Sequence, residues 1–411
     1  MQPHTVLKRL DAISELSKQG KRINGLLRMM ASPLLWEQAY AEIASNKGAL
    51  TPGVTNETLD GFSIERVERI IGQIMSSNYR FTPVRRVHIP KANGKTRPLG
   101  IPTASDKLVQ AVVKLLLERI YEPVFSPLSH GFRRRYSCHT ALEHIKKTWH
   151  GVKWLVDVDV VSFFDNINHS ILLDLLRKKI DDKRFISLIE GMLKAGYMDN
   201  WTYHTTYSGT PQGGVVSPIL ANIYLHELDQ FLTKMKAGFD KGQKRSKNPD
   251  YDSLARKIHN RRRKLTTMLE TGNDIAGNAI ITELRTLEDK CSDMPSTNMF
   301  DPNFKRLLFC RYADDFLIGV IGSKAEANEV MHLVMDFLHT NLRLEASPEK
   351  SKLSKASDGT LFLGYTVKTF TGKQVQRKKI GQWTVRKRNP SDRIQLRVPR
   401  DRIAKFNQRQ G

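Results

Sequence analysis

The chain has 411 residues, of which 40% are hydrophobic and 26% charged, a composition typical of globular proteins large enough for two or three subdomains. Lysine and arginine outnumber aspartate and glutamate by 66 to 42, and this formal net charge of +24 predicts a polyanionic partner such as nucleic acid. No apolar run approaches the roughly 20 residues of a membrane span, and 3 widely spaced cysteines support neither a disulfide framework nor a zinc ribbon, so we expect a cytosolic location.

The N-terminal 80 residues are predicted to be helical. Apolar side chains recur there with the period of an amphipathic helix in three segments, residues 5–19, 34–45 and 63–77. We therefore expect a helical N-terminal extension over residues 1–80.

A hairpin is predicted next. Residues 84–90 alternate apolar and polar side chains, Asn93-Gly94 offers a tight turn, and residues 97–101 return. This hairpin carries Lys91 and Arg97.

Regular structure then alternates until a basic insertion interrupts it. Helices are predicted over residues 104–122 and 219–236, with a buried strand over 152–159 between them. Residues 237–300 are polar and basic, with ten basic residues against two acidic ones from Lys241 to Lys264. They are predicted to be an insertion with helical patches.

After the insertion we predict a strand-turn-strand over 309–320, a helix over 324–340, and short strands near Leu342, Lys352 and 361–365. Residues from Thr371 to the C-terminus carry thirteen basic residues against two acidic ones. Clusters of this kind suit phosphate contacts whose affinity falls steeply with salt.

Two adjacent carboxylates, Asp314 and Asp315, interrupt the apolar sequence FCRYADDFLIGV at the predicted turn. Carboxylates held together in a poorly solvated place raise at least one pKa unless a cation neutralises them. Mg²⁺ characteristically binds one or two carboxylates plus substrate phosphate oxygens. The alternative is a plain turn dipeptide, since aspartates are common in turns and Asp181-Asp182 is such a solvated pair, and the local pattern does not decide between the two.

A second source of carboxylates follows the buried strand, in DVDVVSFFD. Asp157 and Asp159 face the same side of a strand, so their spacing leaves the choice between them open. If this strand neighbours the one that carries Asp314 and Asp315, the acidic side chains converge into a cluster able to hold two metal ions for phosphoryl transfer.

Several segments occur in an order that is highly specific when taken together. They are IPKANGKTRPLGIP (89–102), SHGFRRRYSCHTAL (129–142), DVDVVSFFDNINH (157–169), GTPQGGVVSPILANIYL (209–225), RYADDFLIG (311–319), LEASPEKSKL (344–353) and FLGY (362–365).

With these segments the chain resembles the reverse transcriptases encoded by group II introns, the intron maturase family, over roughly residues 80–370. The resemblance implies an α+β right-hand polymerase fold, with fingers and palm over residues 81–370 around an antiparallel palm sheet with packed helices, interrupted by the insertion at 237–300. Residues 371–411 are similar to the start of the family's thumb, and we expect a shortened thumb and no endonuclease.

The resemblance assigns the metal site to Asp159, Asp314 and Asp315, with the carbonyl of Val160 as a further ligand. It implies two Mg²⁺ ions, with Mn²⁺ as a substitute. The preference for Asp159 over Asp157 comes from the resemblance alone.

The resemblance also implies a nucleotide site. Lys91 and Arg97 would grip the incoming triphosphate, Phe164 would collide with a 2′-hydroxyl, and Gln212 would lie near the nucleotide sugar. Without the resemblance, Lys91 and Arg97 are two exposed basic residues near a turn, and Phe164 is an ordinary core phenylalanine.

Two further sets of residues follow from the resemblance, and each has a plainer alternative. The primer grip, otherwise a buried strand with a glycine bulge, consists of Phe362, Leu363, Gly364 and Tyr365. The contacts to the RNA template, otherwise a solvated run, are made by Arg133, Arg134 and Arg135.

We expect an RNA-directed DNA polymerase that copies intron RNA into cDNA and binds the intron RNA to assist splicing and mobility. Its partners would be group II intron RNA, a DNA primer or target and dNTPs, in a ribonucleoprotein of the bacterial cytoplasm. The alternatives are a splicing cofactor with little polymerase activity and a reverse transcriptase of a retron or defence system. A homodimer is compatible with the sequence, and nothing in the sequence requires one.

Overall fold

A computed structural model describes residues 3–90, 94, 96–199, 202–206, 208, 209, 213–270, 274–298, 301–370, 375–380, 383–388 and 393–408 of the chain. The predicted positions Lys91 and Gln212 lie outside these residues. Within the described residues, no helix combines the length and the apolar composition that a bilayer span requires.

The helices follow the apolar periodicity of the sequence. In chain order they are α1 (Pro3–Lys18), α2 (Leu26–Met29), α3 (Pro33–Ala44), α4 (Ile64–Met75), α5 (Ala104–Tyr121), α6 (Cys138–Thr148), α7 (Phe163–Asn166), α8 (His169–Lys179), α9 (Lys183–Leu193), α10 (Ser217–Phe239), α11 (Pro249–Glu270), α12 (Asp274–Ser292), α13 (Lys324–Leu342) and α14 (Arg400–Asn407).

The strands are short and largely antiparallel. In chain order they are β1 (Val84–Pro90), β2 (Thr96–Ile101), β3 (Trp154–Val158), β4 (Tyr197–Asp199), β5 (Thr202–His204), β6 (Arg306–Tyr312), β7 (Asp315–Ile321), β8 (Lys352–Lys355), β9 (Thr360–Phe362), β10 (Tyr365–Thr369), β11 (Val375–Ile380), β12 (Trp383–Arg388) and β13 (Ile394–Arg397).

The central sheet has the strand order β6-β7-β3-β8, and every neighbouring pair in it is antiparallel. Strand β7 is buried along almost its whole length, because α10 and α13 pack against the sheet on one side and α6 on the other. Near-continuous apolar sequence in β6 and β7 is what such two-sided burial requires. The predicted α+β class is confirmed.

The N-terminal helices join the same core. In α4, Ser63 caps the first turn by accepting a hydrogen bond from the Arg66 amide, and Val67, Ile70 and Ile74 form a buried stripe. Helix α5 lies between α1 and the central sheet's helices and is apolar on most of its surface. Beside it, the antiparallel β1–β2 pair extends to β4 and β5 in a second sheet.

The predicted insertion at 237–300 contains α11 and α12, which pack together around a small core of their own. The members of this core are Ile258, Leu265, Ile280, Leu284 and Cys291. At its base the backbones of Lys241 and Lys305 exchange two hydrogen bonds of 3.0 and 3.1 Å, so the chain leaves and re-enters the main body at one place.

One element prediction is wrong, and another is confirmed over fewer residues than predicted. Leu342, predicted to be near a strand, is the last residue of helix α13 and is buried against the sheet. The strand predicted over 201–207 contains regular structure only at Thr202–His204 among the described residues. The two short segments were ambiguous because a few apolar residues fit either a strand or a helix end.

Candidate functional site

Three aspartates converge at one end of the central sheet. Strands β6 and β7 end their pairing at Tyr312 and Asp315, so Ala313 and Asp314 form the two-residue connection that we call the Asp314 turn. Strand β3 pairs with β7 up to Val158 opposite Phe316, and the next residues along these strands are Asp159 and Asp315. The sequence prediction that the two acidic segments lie on neighbouring strands is therefore correct.

The carboxylates around the turn repel one another, and the nearby arginines offset this repulsion only in part. Burial raises the pKa of Asp314, and the charge of Asp159 raises it further, while Arg97 opposes the shift. Burial and the charges of the three other aspartates raise the pKa of Asp315 to about 6. A divalent cation would remove this repulsion, so the donor set fits a hard metal ion bound by oxygen.

The described residues contain no group of three or more His, Cys, Asp or Glu side chains already arranged around one metal position. Asp159 instead contacts a lysine, with Lys350 Nζ 3.0 Å from its Oδ2. Its backbone is held by Ser347 and Ser351, which follow the helix α13. A metal ion bound by Asp159 Oδ2 would compete with the Lys350 ammonium group for that oxygen.

Asp157 has a different environment from Asp159. Its Oδ2 accepts a hydrogen bond of 3.1 Å from Thr360 Oγ1, so it ties β3 to β9, a strand of the separate sheet β13-β10-β9. Burial raises its pKa, and Asp159 adds to the shift. The two residues that sequence spacing left equivalent are thus distinguished by their partners. Val160, the predicted additional ligand, is buried and bridges to Ala346.

A buried network beneath the Asp314 turn was missed by the sequence prediction. Arg311 is 0% exposed and forms a bidentate salt bridge with Asp229, which is 1% exposed. Its Nε and Nη2 donate to Asp229 Oδ1 and Oδ2, at 2.8 and 2.6 Å. Its Nη1 donates to Asn222 Oδ1 and to the carbonyl of Ala313, at 3.1 and 2.8 Å. Asn222 in turn donates to the carbonyl of Gly131. An arginine in an apolar strand was the one available signal.

Phe164 lies in the short helix α7, directly after the strand that leads to Asp159, and is only 7% exposed. It packs edge-on against Phe163, with ring centroids 5.2 Å apart. Phe132, by contrast, is 48% exposed, has a left-handed backbone and lies 6.4 Å from Phe164 and 6.5 Å from Tyr312. The site therefore has an aromatic wall that the sequence prediction recognised only at Phe164.

The nucleotide side of the site is described only in part. Arg97 lies on β2 opposite Ile89, and its charge lowers the pKa of Asp314, so the hairpin brings this guanidinium toward the carboxylates. Lys91 and Gln212 lie outside the described residues. Next to Gln212, Gly213 has a φ of 104°, which disfavours any side chain, and a Cβ on it would lie 2.7 Å from Leu99 Cδ1 and 3.0 Å from the Gly100 carbonyl oxygen.

The run of three arginines divides into one buried and two exposed side chains. Arg133 is 5% exposed and donates to Glu122 and to the carbonyls of Ser126 and Ser129. Arg134 is 75% exposed, contacts Glu42, and is followed by the exposed Arg135.

The predicted primer grip is a hairpin. Phe362 pairs with Tyr365, and both residues between them, Leu363 and Gly364, have positive φ values of 47° and 86°. Such a backbone is typical of tight hairpin turns, so the glycine lies in the turn itself and not in a bulge. The Phe362 side chain is buried.

The pKa of Asp315 predicts a pH dependence for the metal-free protein. Its value is raised from 3.8 to about 6, so the folded state binds this proton more tightly than the unfolded chain. The stabilisation is complete below the unfolded pKa and is lost as the pH rises through about 6. In EDTA we expect Asp315→Asn to raise the melting temperature relative to the wild type more at about pH 7.5 than at about pH 5.5. A difference between the two proteins that does not change with pH would contradict this assignment.

Comparison with known proteins indicates the same family as the sequence motifs. Residues 89–244 match the family described as reverse transcriptase (RNA-dependent DNA polymerase). The group II intron-encoded protein LtrA of Lactococcus lactis subsp. cremoris is 40% identical over 97% of this chain and 65% of its own length.

Two further relatives extend the comparison. The uncharacterized 91 kDa protein in cob intron of Schizosaccharomyces pombe is 38% identical over 96% of this chain and 48% of its own length. Protein YkfC of Escherichia coli K12 is 32% identical over 84% of this chain and 83% of its own length. The resemblance predicted from the sequence is confirmed: the chain belongs to the family of group II intron-encoded reverse transcriptases.

Proposed function

We propose that the chain is an RNA-directed DNA polymerase that extends a primer on an RNA template with dNTPs. The observation that supports this most strongly is the convergence of Asp159, Asp314 and Asp315 at one end of the central sheet. The family generally uses divalent metal ions. In this proposal the central sheet is the palm of a right-hand polymerase, and the β1–β2 hairpin belongs to its fingers.

The metal site would hold two Mg²⁺ ions, with Mn²⁺ as a substitute. When bound, such ions stabilise charge on the attacking and leaving oxygens of a nucleotidyl transfer. The carboxylates of Asp159, Asp314 and Asp315 would hold them. The raised pKa values of Asp314 and Asp315 support this arrangement, because a bound cation would relieve the repulsion that causes part of each shift.

The nucleotide would enter between the hairpin and the carboxylates. Arg97, together with Lys91, would bind the triphosphate, because a guanidinium matches phosphate oxygens with two parallel donors. Phe164 would lie under the sugar and exclude a 2′-hydroxyl, and Gln212 would contact the sugar from the adjacent loop. Phe164 follows Asp159 by five residues and lies in the helix that comes next in the chain after β3, and this position supports the role.

The nucleic-acid strands would be held by two other surfaces. The Phe362–Tyr365 hairpin would position the primer end, since its tight turn is stiff and its strand is anchored by buried Phe362. Exposed Arg134 and Arg135 would contact the template backbone. For Arg133 we propose bracing of the same loop, because its guanidinium is already bound by protein oxygens.

We also propose that the chain binds group II intron RNA within a cytoplasmic ribonucleoprotein and assists splicing. The relatives support this proposal, since they include the group II intron-encoded protein of Lactococcus lactis and nuclear intron maturase 1 of Arabidopsis thaliana. A structural candidate for the contact is the outer face of α11. Its exposed cations are Arg256, Lys257, Arg263 and Lys264.

Replacing these four cations by alanine is expected to weaken intron RNA binding and to reduce its salt dependence, because fewer counterions are released. Filter binding to intron RNA and to a simple hairpin of equal length measures the effect, and extension of an unstructured template should be unchanged. The matched control replaces four exposed cations elsewhere, Lys146, Lys147, Arg177 and Lys178. A specific role in intron binding would be contradicted if both variants lost the same affinity for intron RNA. It would also be contradicted if the wild type bound intron RNA and the simple hairpin equally well.

A further inference from the structure

We propose that Arg311, Asp229 and Asn222 are positioning residues that fix the Asp314 turn in the geometry that metal binding requires. The inference rests on the proposed polymerase function. It concerns residues that do not touch the nucleotide or the ions themselves, and that act through the backbone of the turn.

The first observation is that Arg311 and Asp229 form an ion pair in the interior, out of contact with water. Arg311 and Asp229 are 0% and 1% exposed, and one edge of the guanidinium binds the carboxylate: Nε and Nη2 each donate to one oxygen of Asp229, at 2.8 and 2.6 Å. Removing two charges from water is costly, and apolar residues of equal size often serve stability equally well. A buried pair therefore favours a geometric role.

The second observation is where the remaining donor points. Arg311 Nη1 donates to the carbonyl of Ala313, at 2.8 Å, inside the Asp314 turn itself. Ala313 has a φ of 56°, a left-handed conformation that residues with a side chain rarely adopt. The hydrogen bond to this carbonyl stabilises a backbone that would otherwise relax, and relaxation would move the adjacent Asp314 carboxylate.

The third observation is that the turn is also held from its other side. Gly131 lies against it so closely that a Cβ on this residue would be 2.1 Å from the Ala313 nitrogen. The carbonyl of Gly131 accepts a hydrogen bond of 2.8 Å from Asn222 Nδ2, and Asn222 Oδ1 accepts from Arg311. The side-chain amide of Asn222 thus connects Gly131 and Arg311, which hold the turn from its two sides.

The two residues that bind Arg311, Asn222 and Asp229, both lie on helix α10. Asn222 and Asp229 are seven residues apart, two turns along the 23-residue helix α10, and therefore lie on the same face of it. This helix packs against β6 and is buried over most of its length. The turn is consequently fixed relative to the helix and the sheet together, which is the kind of support that precise ligand placement needs.

The test is Asn222→Ala, which leaves the ion pair in place and removes both amide contacts. We expect the single-turnover rate of dNTP incorporation to fall about tenfold, with primer–template affinity unchanged, because loss of a supporting hydrogen bond misplaces a ligand. Titration of the metal-free protein with Mn²⁺, followed by electron paramagnetic resonance, should show a roughly tenfold weaker affinity. Arg311→Lys, which keeps the charge and loses the fork, should show the same pattern.

The matched control is Ser17→Ala, because Ser17 is likewise buried and donates to a backbone carbonyl, that of Ile120, far from the site. It should lower the melting temperature comparably and leave both readouts at wild-type values. Unchanged Mn²⁺ affinity in Asn222→Ala, or an equal loss in Ser17→Ala, would overturn the proposal. If the wild type fails to extend a primer, the proposed polymerase function is wrong. The positioning role is then tested by whether Asn222→Ala weakens Mn²⁺ affinity.

Discussion

Replacing Asp314 by alanine is expected to abolish metal-dependent primer extension, lowering the rate by at least about 1,000-fold, because a bound divalent ion contributes several kcal/mol of transition-state stabilisation. The fold should survive, since Asp314 lies in a turn and removal of its charge relieves repulsion with Asp315. Extension of a DNA primer on an RNA template, with Mg²⁺ and all four dNTPs, measures the effect.

The matched control is Asp181→Ala. Asp181 belongs to another Asp-Asp pair, and its partner Arg22 is 3.1 Å away, with both side chains more than half exposed. An exposed ion pair contributes little, so this variant should extend the primer at the wild-type rate. Wild-type extension by Asp314→Ala would remove the three aspartates from the proposed mechanism. Equal losses in both variants would point to the fold and not to the metal site.

Replacing Phe164 by valine is expected to raise the ratio of ribonucleotide to deoxyribonucleotide incorporation by about 10- to 100-fold, the range that a few atoms in a pocket can discriminate. In the proposed geometry the ring blocks a 2′-hydroxyl, and valine would open that space. Valine is preferred to alanine because Phe164 is 7% exposed, and a smaller side chain leaves a more destabilising cavity.

Phe163→Val serves as the control for that experiment. Phe163 precedes Phe164 in helix α7, is 2% exposed and packs toward Tyr224, with ring centroids 6.5 Å apart. Both variants should lose stability to a similar extent, and only Phe164→Val should change nucleotide selectivity. An unchanged ratio in Phe164→Val would show that another group excludes the 2′-hydroxyl.

The parts of the site that could be predicted are those in which charged residues interrupt an apolar stretch of sequence. Asp314 and Asp315 interrupt an apolar run, which predicts both a strand-turn-strand and a charge in need of a partner, and the structure has both. Periodicity could not choose between Asp157 and Asp159, since both face one side of β3. Their different partners, Thr360 and Lys350, come from distant segments.

The network beneath the turn could not be predicted, because its members are far apart in the chain. Arg311 is 82 residues from Asp229 and 89 from Asn222, and only the packing of α10 on β6 brings them together. The same limit explains Arg133. In a run of three arginines it resembles a solvated cation, and its burial depends on carbonyls and rings that fold around it.

The paired backbones of Lys241 and Lys305 have a consequence for how this protein can vary. Closing a flexible loop costs little more when the loop is long than when it is short, and here both ends are already adjacent. Residues 242–304 can therefore change in length, or be exchanged for another segment, with little strain on the sheet that carries Asp314. Under the proposed function, this attachment point would allow the proposed RNA contact on α11 to change while the carboxylate site stays the same.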